Sequence, residues 1–255
     1  MNTGLQLYTV RDFMAKDFYG TIKKVAEIGY KGVEFAGYFD EDPKEIRKFI
    51  DDLGLTCCSS HVGGPTEENV EKECETLKIL GTDKFVANIG WDGTGEGFKK
   101  TFEKFQKSVE MTKQYGIKLY IHNHWWEHEA KPFGKPFFEY VLENIPELMS
   151  ECDLGWTLFS GYDPLERVEK YNDKIGLLHC KDCNIKDVST WAGGTIVRTK
   201  LATQVANGDG SAKIKECVAA SKADWAIVEL DQYDGCMWEA VEKSYKYLTE
   251  TCNCK

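Results

Sequence analysis

Five histidines are the scarcest chemical groups in this chain, and each stands where a short apolar run ends. His61 follows the run Thr56–Ser60, His122 closes Lys118–His122 with His124 and His128 just beyond it, and His179 closes Gly176–His179. Carboxylates take matching places. Asp153 ends Leu148–Asp153 and Glu229 ends Ala226–Glu229. Imidazole nitrogen and carboxylate oxygen are both ligands for divalent ions. His122, Asp153, His179 and Glu229 therefore offer one donor from each of four consecutive runs. Such a mixed set suits Mn, Fe, Co or Zn, and Mg less well. Alternation along a strand also places Lys181 on the same face as His179, where an ammonium can polarise a substrate oxygen or carry a proton. The pair Cys180 and Cys183 forms a single C-x-x-C, a weak signal for zinc or redox work without a second pair.

The elements that must position these groups alternate from end to end. Apolar runs at Gly4–Thr9, Gly32–Phe35, Thr56–Ser60, Lys84–Asn88, Lys118–His122, Leu148–Asp153, Gly176–His179 and Ala226–Glu229 read as strands. Amphipathic segments at Asp12–Ile28, Pro43–Leu53, Glu67–Leu80, Gly97–Tyr115, Pro136–Asn144, Pro164–Tyr171, Ala212–Ser221 and Trp238–Thr249 read as helices. Gly29, Gly54, Gly81 and Gly116 sit where a left-handed residue stops a helix. Eight strand–helix units in a chain of 255 residues predict a (β/α)8 TIM barrel, with residues 1–255 forming one domain. A doubly wound sheet is the rival, but no Gly-rich nucleotide fingerprint follows the first strand. In such a barrel, function gathers at the C-terminal ends of the strands, where these histidines stand.

Other residues at that end include Gln6, Tyr8, Glu34 and Asn88, with Trp91, Trp125, Trp126 and Trp156 following strand ends. Tryptophans there can stack on the apolar face of a sugar ring. Asn184–Gly210 reads as an irregular loop, longer than the roughly 12–15 residues at which structureless loops become uncommon. Two readings fit it: a lid over His179 and Lys181 hinged at Gly193, Gly194, Gly208 and Gly210 with Trp191 as a water shield, or an arm packing on a neighbouring subunit of a homo-oligomer.

Composition narrows the partners. A net charge of −10 argues against nucleic acid and an anionic membrane surface, because phosphate neutralisation needs a basic face. No apolar run approaches the roughly 20 residues that span a bilayer. The first residues carry no basic segment followed by an apolar one, which predicts a cytoplasmic protein, and there the ten cysteines stay reduced. A small neutral substrate, or one held by a metal, fits better than a macromolecule; Lys181, Arg198 and Lys200 could receive a phosphate, but no dedicated phosphate loop is legible.

The chain resembles the xylose isomerase-like superfamily of sugar isomerases and epimerases over essentially its whole length. The opening Gln-Leu-Tyr-Thr-Val-Arg (Gln6–Arg11), the His-Asn-His-x-x-Glu stretch (His122–Glu127) and the His-x-Lys-Asp of His179–Asp182 carry the likeness. The resemblance implies one divalent metal held by Glu, Asp, His and Glu from the fifth to eighth strands. Asp153, His179 and Glu229 match the last three, and His122 stands in the first glutamate's place, with His124 as the alternate ligand. It also implies proton abstraction next to a carbonyl of a sugar, keto-sugar or polyol, giving isomerisation or epimerisation. Glu229 or a mouth histidine such as His124 would act as base, Glu127 could stand in, and Lys181 would neutralise the oxygen. The superfamily also holds dehydratases acting on keto-inositols, which form the runner-up. A non-catalytic sugar-binding barrel is a third reading, and a DNA-repair endonuclease is disfavoured by the acidic charge.

Overall fold

The computed structural model describes residues 1–88, 90, 95–192 and 195–255, with side chains described outside 88, 95 and 187–200. Eight parallel strands close into a barrel: β1 (Asn2–Gln6), β2 (Gly32–Phe35), β3 (Thr56–Gly63), β4 (Lys84–Asn88), β5 (Lys118–His122), β6 (Met149–Asp153), β7 (Ile175–Cys180) and, after an excursion, β10 (Trp225–Val228). Sequential strands are neighbours, and β10 pairs with both β7 and β1 to complete the ring. Outward residues such as Leu5, Val33, Leu119, Cys152, Leu178 and Val228 pack under the helices in one continuous core.

The barrel's interior changes character along each strand. Cys58, Val86, Tyr120, Leu177, Trp225 and Ile227 pack together as an apolar plug. Two residues further along, the same face carries His122 after Tyr120, His179 after Leu177, and Glu229 after Ile227. The two-residue period of a strand lifts each chain from plug to polar layer in one step. Trp225 fills the plug only because Gly32 faces it. A Cβ at Gly32 would stand 2.7 Å from the indole ring and 2.8 Å from the Thr56 carbonyl.

Helix boundaries follow their caps. Gly29, Gly54, Gly81 and Gly116 all take positive φ at helix stops, as their positions predict. The segment expected as one helix from Asp12 to Ile28 is instead two. Asp17 turns extended at φ −153°, accepts a hydrogen bond from the Gly20 amide at 2.9 Å, and starts a new helix over Phe18–Ile28. Two short helices were not legible in the apolar pattern: Trp125–Glu129 and Leu154–Phe159. The first carries His128, which the sequence reading kept off helices.

Asn184–Gly210 is not irregular. Strands β8 (Asp182–Ala192) and β9 (Thr195–Val205) pair antiparallel along their full length as a ribbon. The alternation of Thr, Val and Ile with polar residues is that of a hairpin, which the glycines between them had disguised as a loop. Gly193 and Gly194 and the side chains of Trp191, Arg198 and Lys200 lie outside the described residues, as do Trp91 and the Asn88 side chain. The ribbon's base is tied by one buried carboxylate. Asp182 accepts backbone N–H groups from Cys183 and Ala212 at 3.0 Å each, Gly208 at 2.9 Å and Gly210 at 3.1 Å. Gly210 must be glycine for this, since a Cβ would stand 2.1 Å from an Asp182 oxygen.

Hydrogen bonds to a charged group are worth about 1.5–3 kcal/mol each, and water replaces part of that when they break. Asp182→Ala should therefore cost about 2–4 kcal/mol and lower the melting temperature by roughly 5–15 °C. Protease cleavage should rise within residues 184–210. A melting temperature equal to the parent's would remove Asp182 as the anchor.

Candidate metal centre

The ends of β5, β6, β7 and β10 deliver four ligand atoms to one place. Donors from His122, Asp153, His179 and Glu229, all buried, lie within 4.8 Å of one another. Local sequence fixes each of them. Asp153 ends β6 and caps the helix Leu154–Phe159, its Oδ1 accepting the Trp156 amide at 2.6 Å. Asn123 clips it from the neighbouring strand, taking the Asp153 amide at 2.9 Å and donating to its carbonyl at 3.1 Å. The Asp153 Oδ2 atom is buried and lies 3.3 Å from the Lys181 ammonium. A buried carboxylate oxygen that already faces positive charge, beside two imidazoles, suits a cation site. Burial pushes the Asp153 carboxyl up to about 7, against the nearby Lys181 charge.

His179 is held by carboxylates on both sides. Its Nδ1 lies 2.7 Å from Glu229 Oε2, while Nε2 lies 3.0 Å from Glu34 Oε1 and 3.1 Å from Glu151 Oε1. Burial opposes charge on the ring, but Glu151, Glu229 and Glu34 outweigh it and raise its pKa well above the ordinary value. Carboxylates at both nitrogens thus favour the protonated ring, and binding an ion would displace one of its protons. A metal ligand normally donates its second N–H to a carboxylate, and Glu34 and Glu151 are placed for that. Glu34 is itself fixed by Gln6 and by Ser59 Oγ at 2.5 Å.

Lys181 is the fixed cation of the site. Its ammonium lies 2.8 Å from Asp231, 3.0 Å from Glu229 and 3.3 Å from Asp153, with the Trp156 ring 4.9 Å away. Burial opposes its charge, yet the three carboxylates raise its pKa far above the ordinary lysine range. It stays protonated, which favours neutralising an oxygen over carrying a proton. Glu229, conversely, is held well below its usual value, because Lys181 and His179 overcome the effect of burial.

A cavity of about 540 Å³ opens over these groups, lined by Gln6, Tyr8, His61, His122, His124, Trp156, Lys181, Glu229 and Asp231 among others. His124 caps the helix Trp125–Glu129 in a reciprocal box with Glu127, whose Oε2 accepts the His124 amide at 2.8 Å. The Glu127 Oε1 atom sits 3.5 Å from His124 Nδ1. Burial lowers the His124 pKa, but the bond to and charge of Glu127 outweigh that and raise it. Glu127 is buried and turned onto His124 rather than into the cavity.

Of the five histidines, His61, His122, His124 and His179 converge at the mouth. His61 lies inside β3 rather than beyond its end. His128 does not join them. It packs against Phe138 and reaches Thr157 Oγ1 at 3.1 Å. Trp156 covers Lys181, while Trp126 packs on Phe137 and Trp125 is exposed at 42%. Cys180 and Cys183 are buried free thiols that contact different carbonyls, those of Leu178 and Gly155. Sequence reasoning missed Glu151, Asn123 and Asp231. Two-residue alternation from Asp153 and from Glu229 was the available signal for the two acids.

Comparison with known proteins follows the same lines. A family model described as xylose isomerase-like TIM barrel matches residues 22–249. Inosose dehydratase of Lacticaseibacillus casei is 24% identical over an alignment of 274 residues, spanning 92% of this chain and 90% of that protein. Inosose dehydratase of Geobacillus kaustophilus is 22% identical over 189 residues, 63% of this chain and 60% of that protein. Among solved structures, a sugar phosphate isomerase/epimerase from Parabacteroides distasonis superposes with a TM-score of 0.74 at 25% identity, over 100% of this chain and 96% of its own.

Removing one partner of a buried charge cluster costs about 3–5 kcal/mol. Lys181→Met keeps most of the side-chain volume and deletes the ammonium. In chelator, this variant should melt roughly 10 °C below the parent. Added Mn(II) should narrow the gap, because the ion supplies positive charge to the same carboxylates. Equal melting temperatures in chelator would show that the ammonium does not hold the cluster together.

Proposed function

This chain belongs to the xylose isomerase-like TIM-barrel family, and from that premise we propose that it removes a proton next to a carbonyl of a small polyhydroxylated ketone. The observation that carries this reading is Glu229. It is a carboxylate kept ionised at the cavity floor, 3.0 Å from a permanent cation. A cavity with polar groups around its floor and Tyr8 and Trp156 at its walls suits a sugar or keto-inositol.

His122, Asp153, His179 and Glu229 would hold one divalent ion, with donors that favour Mn, Fe, Co or Zn over Mg. The buried Asp153 Oδ2, 3.3 Å from the Lys181 ammonium, faces positive charge as an ion ligand would. Such an ion supplies Lewis-acid stabilisation for the negative charge that develops on the carbonyl oxygen. The chain's own groups do the rest. Glu229 accepts the carbon-bound proton. Lys181 cannot release its proton, so it adds a fixed positive charge facing the developing oxyanion. Trp156, lying against Lys181, keeps water from that charge.

Two outcomes share this first step. Return of the proton to a neighbouring carbon, or to the opposite face, gives an isomer or epimer. Departure of a β-hydroxyl gives a dehydrated ketone, and one observation favours that second reading. His124 faces the cavity as a proton donor supported by Glu127, placed to protonate a leaving hydroxyl. The curated relatives are named as inosose dehydratases.

Incubation in heavy water with keto-inositols and keto-sugars should wash deuterium into the carbon beside the carbonyl. Glu229→Gln should lower that exchange by about 10²–10⁴, the usual contribution of a positioned base. If dehydration is the outcome, the product is lighter by one water, and His124→Ala keeps the exchange while losing water release. Exchange undiminished in Glu229→Gln would overturn the assignment of the base. Absence of exchange with every substrate would overturn the reaction class.

A further inference from the structure

Beneath the four-residue group lies a second set of donors that shares His122 with it and is otherwise unused by the proposed reaction. His61 from β3, His122 from β5 and Glu151 from β6 each offer an atom within 4.8 Å of the other two. Glu151 Oε2 stands 3.1 Å from His122 Nδ1 and 3.6 Å from His61 Nδ1. Two ligand atoms bound at about 2.1 Å to one ion stand roughly 3.0–3.4 Å apart in octahedral or tetrahedral geometry. The two separations match that spacing with shifts of a few tenths of an ångström. The other oxygen of Glu151 is fully buried and lies 3.1 Å from His179 Nε2, which leaves Oε2 to face His61 and His122. Glu34 Oε1 stands 3.8 Å from His61 Nδ1 and closes the fourth side.

Charge points the same way. Glu34, Glu151, Asp153 and Glu229 are buried, and Asp231 joins them on Lys181. Five carboxylates thus surround the Lys181 ammonium and the His179 ring, and buried charge must be compensated. With all five ionised and His179 neutral as a metal ligand, a single divalent ion leaves the set negative, whereas two bring it to neutrality. An entry path exists, because His61 and His122 both line the cavity.

We propose that the chain binds a second divalent transition metal, below the first, through His61, His122 and Glu151. Two imidazoles and one carboxylate form the donor set of open, three-ligand transition-metal sites. A neutral imidazole offers one lone pair, so His122 serves one ion at a time. With both sites filled, His122 binds the lower ion, and Asp153, His179 and Glu229 keep the upper one. The inference stands on this geometry and not on the reaction proposed above.

The test is cobalt stoichiometry on the full-length chain. Protein stripped with chelator is titrated with Co(II), desalted, and analysed for bound metal, with the visible spectrum followed during titration. The parent chain should retain two equivalents. Glu151→Gln, which preserves side-chain shape, and His61→Ala should each retain one. Asp153→Asn should also retain one, bound at the lower set. Circular dichroism confirms that each variant is folded, and two lower-site variants guard against loss of either. One equivalent in the parent, lost in Asp153→Asn but kept in His61→Ala and Glu151→Gln, would overturn the second site and leave the first intact. One equivalent lost in His61→Ala but kept in Asp153→Asn would support the lower site and overturn the upper. Two equivalents in both lower-site variants would overturn this ligand assignment, and none in the parent would overturn both sites.

Discussion

His179 is gripped at both ring nitrogens, by Glu229 above and by Glu34 and Glu151 below. His122, which lines the cavity and meets Glu151 at 3.1 Å, is the second link between the cavity floor and the layer beneath it. Four buried carboxylates within one barrel mouth would repel each other, and each would carry a desolvation cost of several kcal/mol. The imidazolium and the Lys181 ammonium are what make that density tolerable. Because His179 lies in β7 and Lys181 directly follows its end, the seventh strand sets the position of both groups among the acids around them. The register of β7 against β6 and β10 places His179 opposite Asp153 and Ile227, so the acids approach from both flanks.

That arrangement depends in turn on the apolar plug. The polar layer is the next step along the same strand faces that carry Tyr120, Leu177 and Ile227. A slip of one residue would send each strand's plug and ligand side chains to the opposite face. Packing Trp225 against Gly32 resists such a slip, since the indole fits only where β2 lacks a side chain. The stability of the plug and the precision of the site therefore come from one set of registers. Asp153 and Asn123 extend this economy, capping a helix and bridging two strands with groups that also build the site.

The strands and most of the site were legible in the sequence because they obey local rules. Short apolar runs ending in His or Asp, and glycines after amphipathic segments, are read within a few residues of themselves. Strands β2, β4 and β5 coincide with their expected runs. The four donors His122, Asp153, His179 and Glu229 were found because each stands at or beside the end of its run. Glu151 was not, since it lies inside β6, where a charged residue reads as a flaw in an apolar run. Its partners, His122 and His179, come from other strands, and only the closed barrel brings them near. The ribbon over 182–205 was missed for a different reason. Hairpin pairing competes with loop propensity over glycine-rich sequence, and Asp182, which ties its ends, acts on amides up to thirty positions away. The first helix failed at Asp17, where one side-chain hydrogen bond to a backbone amide outweighs a continuous apolar stripe.

His122 stands where the family resemblance implies a glutamate, which removes one negative charge from the four ligands. Glu151 puts a carboxyl back one layer down, 3.1 Å from His122 Nδ1, where burial and the Glu34 charge raise its pKa well above the ordinary value. The displacement matters for chemistry. Glu151 does not line the cavity, and the carboxylates that do are Glu229 and Asp231, the latter bonded to Lys181 and Gln204. Glu229, paired through Oε2 with His179 and Lys181, could take the carbon-bound proton from one face of the substrate, leaving a planar enediolate. Inversion at carbon needs a donor on the opposite face, and among the described lining residues that role falls to His61, His122 or His124. Elimination asks less of the site: a single base, and an acid near the leaving hydroxyl. Under the proposed function, a carboxylate beneath the cavity wall instead of on it weakens symmetric two-base chemistry and leaves a one-base, one-acid route, with Glu229 as the proposed base and the Glu127-supported His124 as the proposed acid.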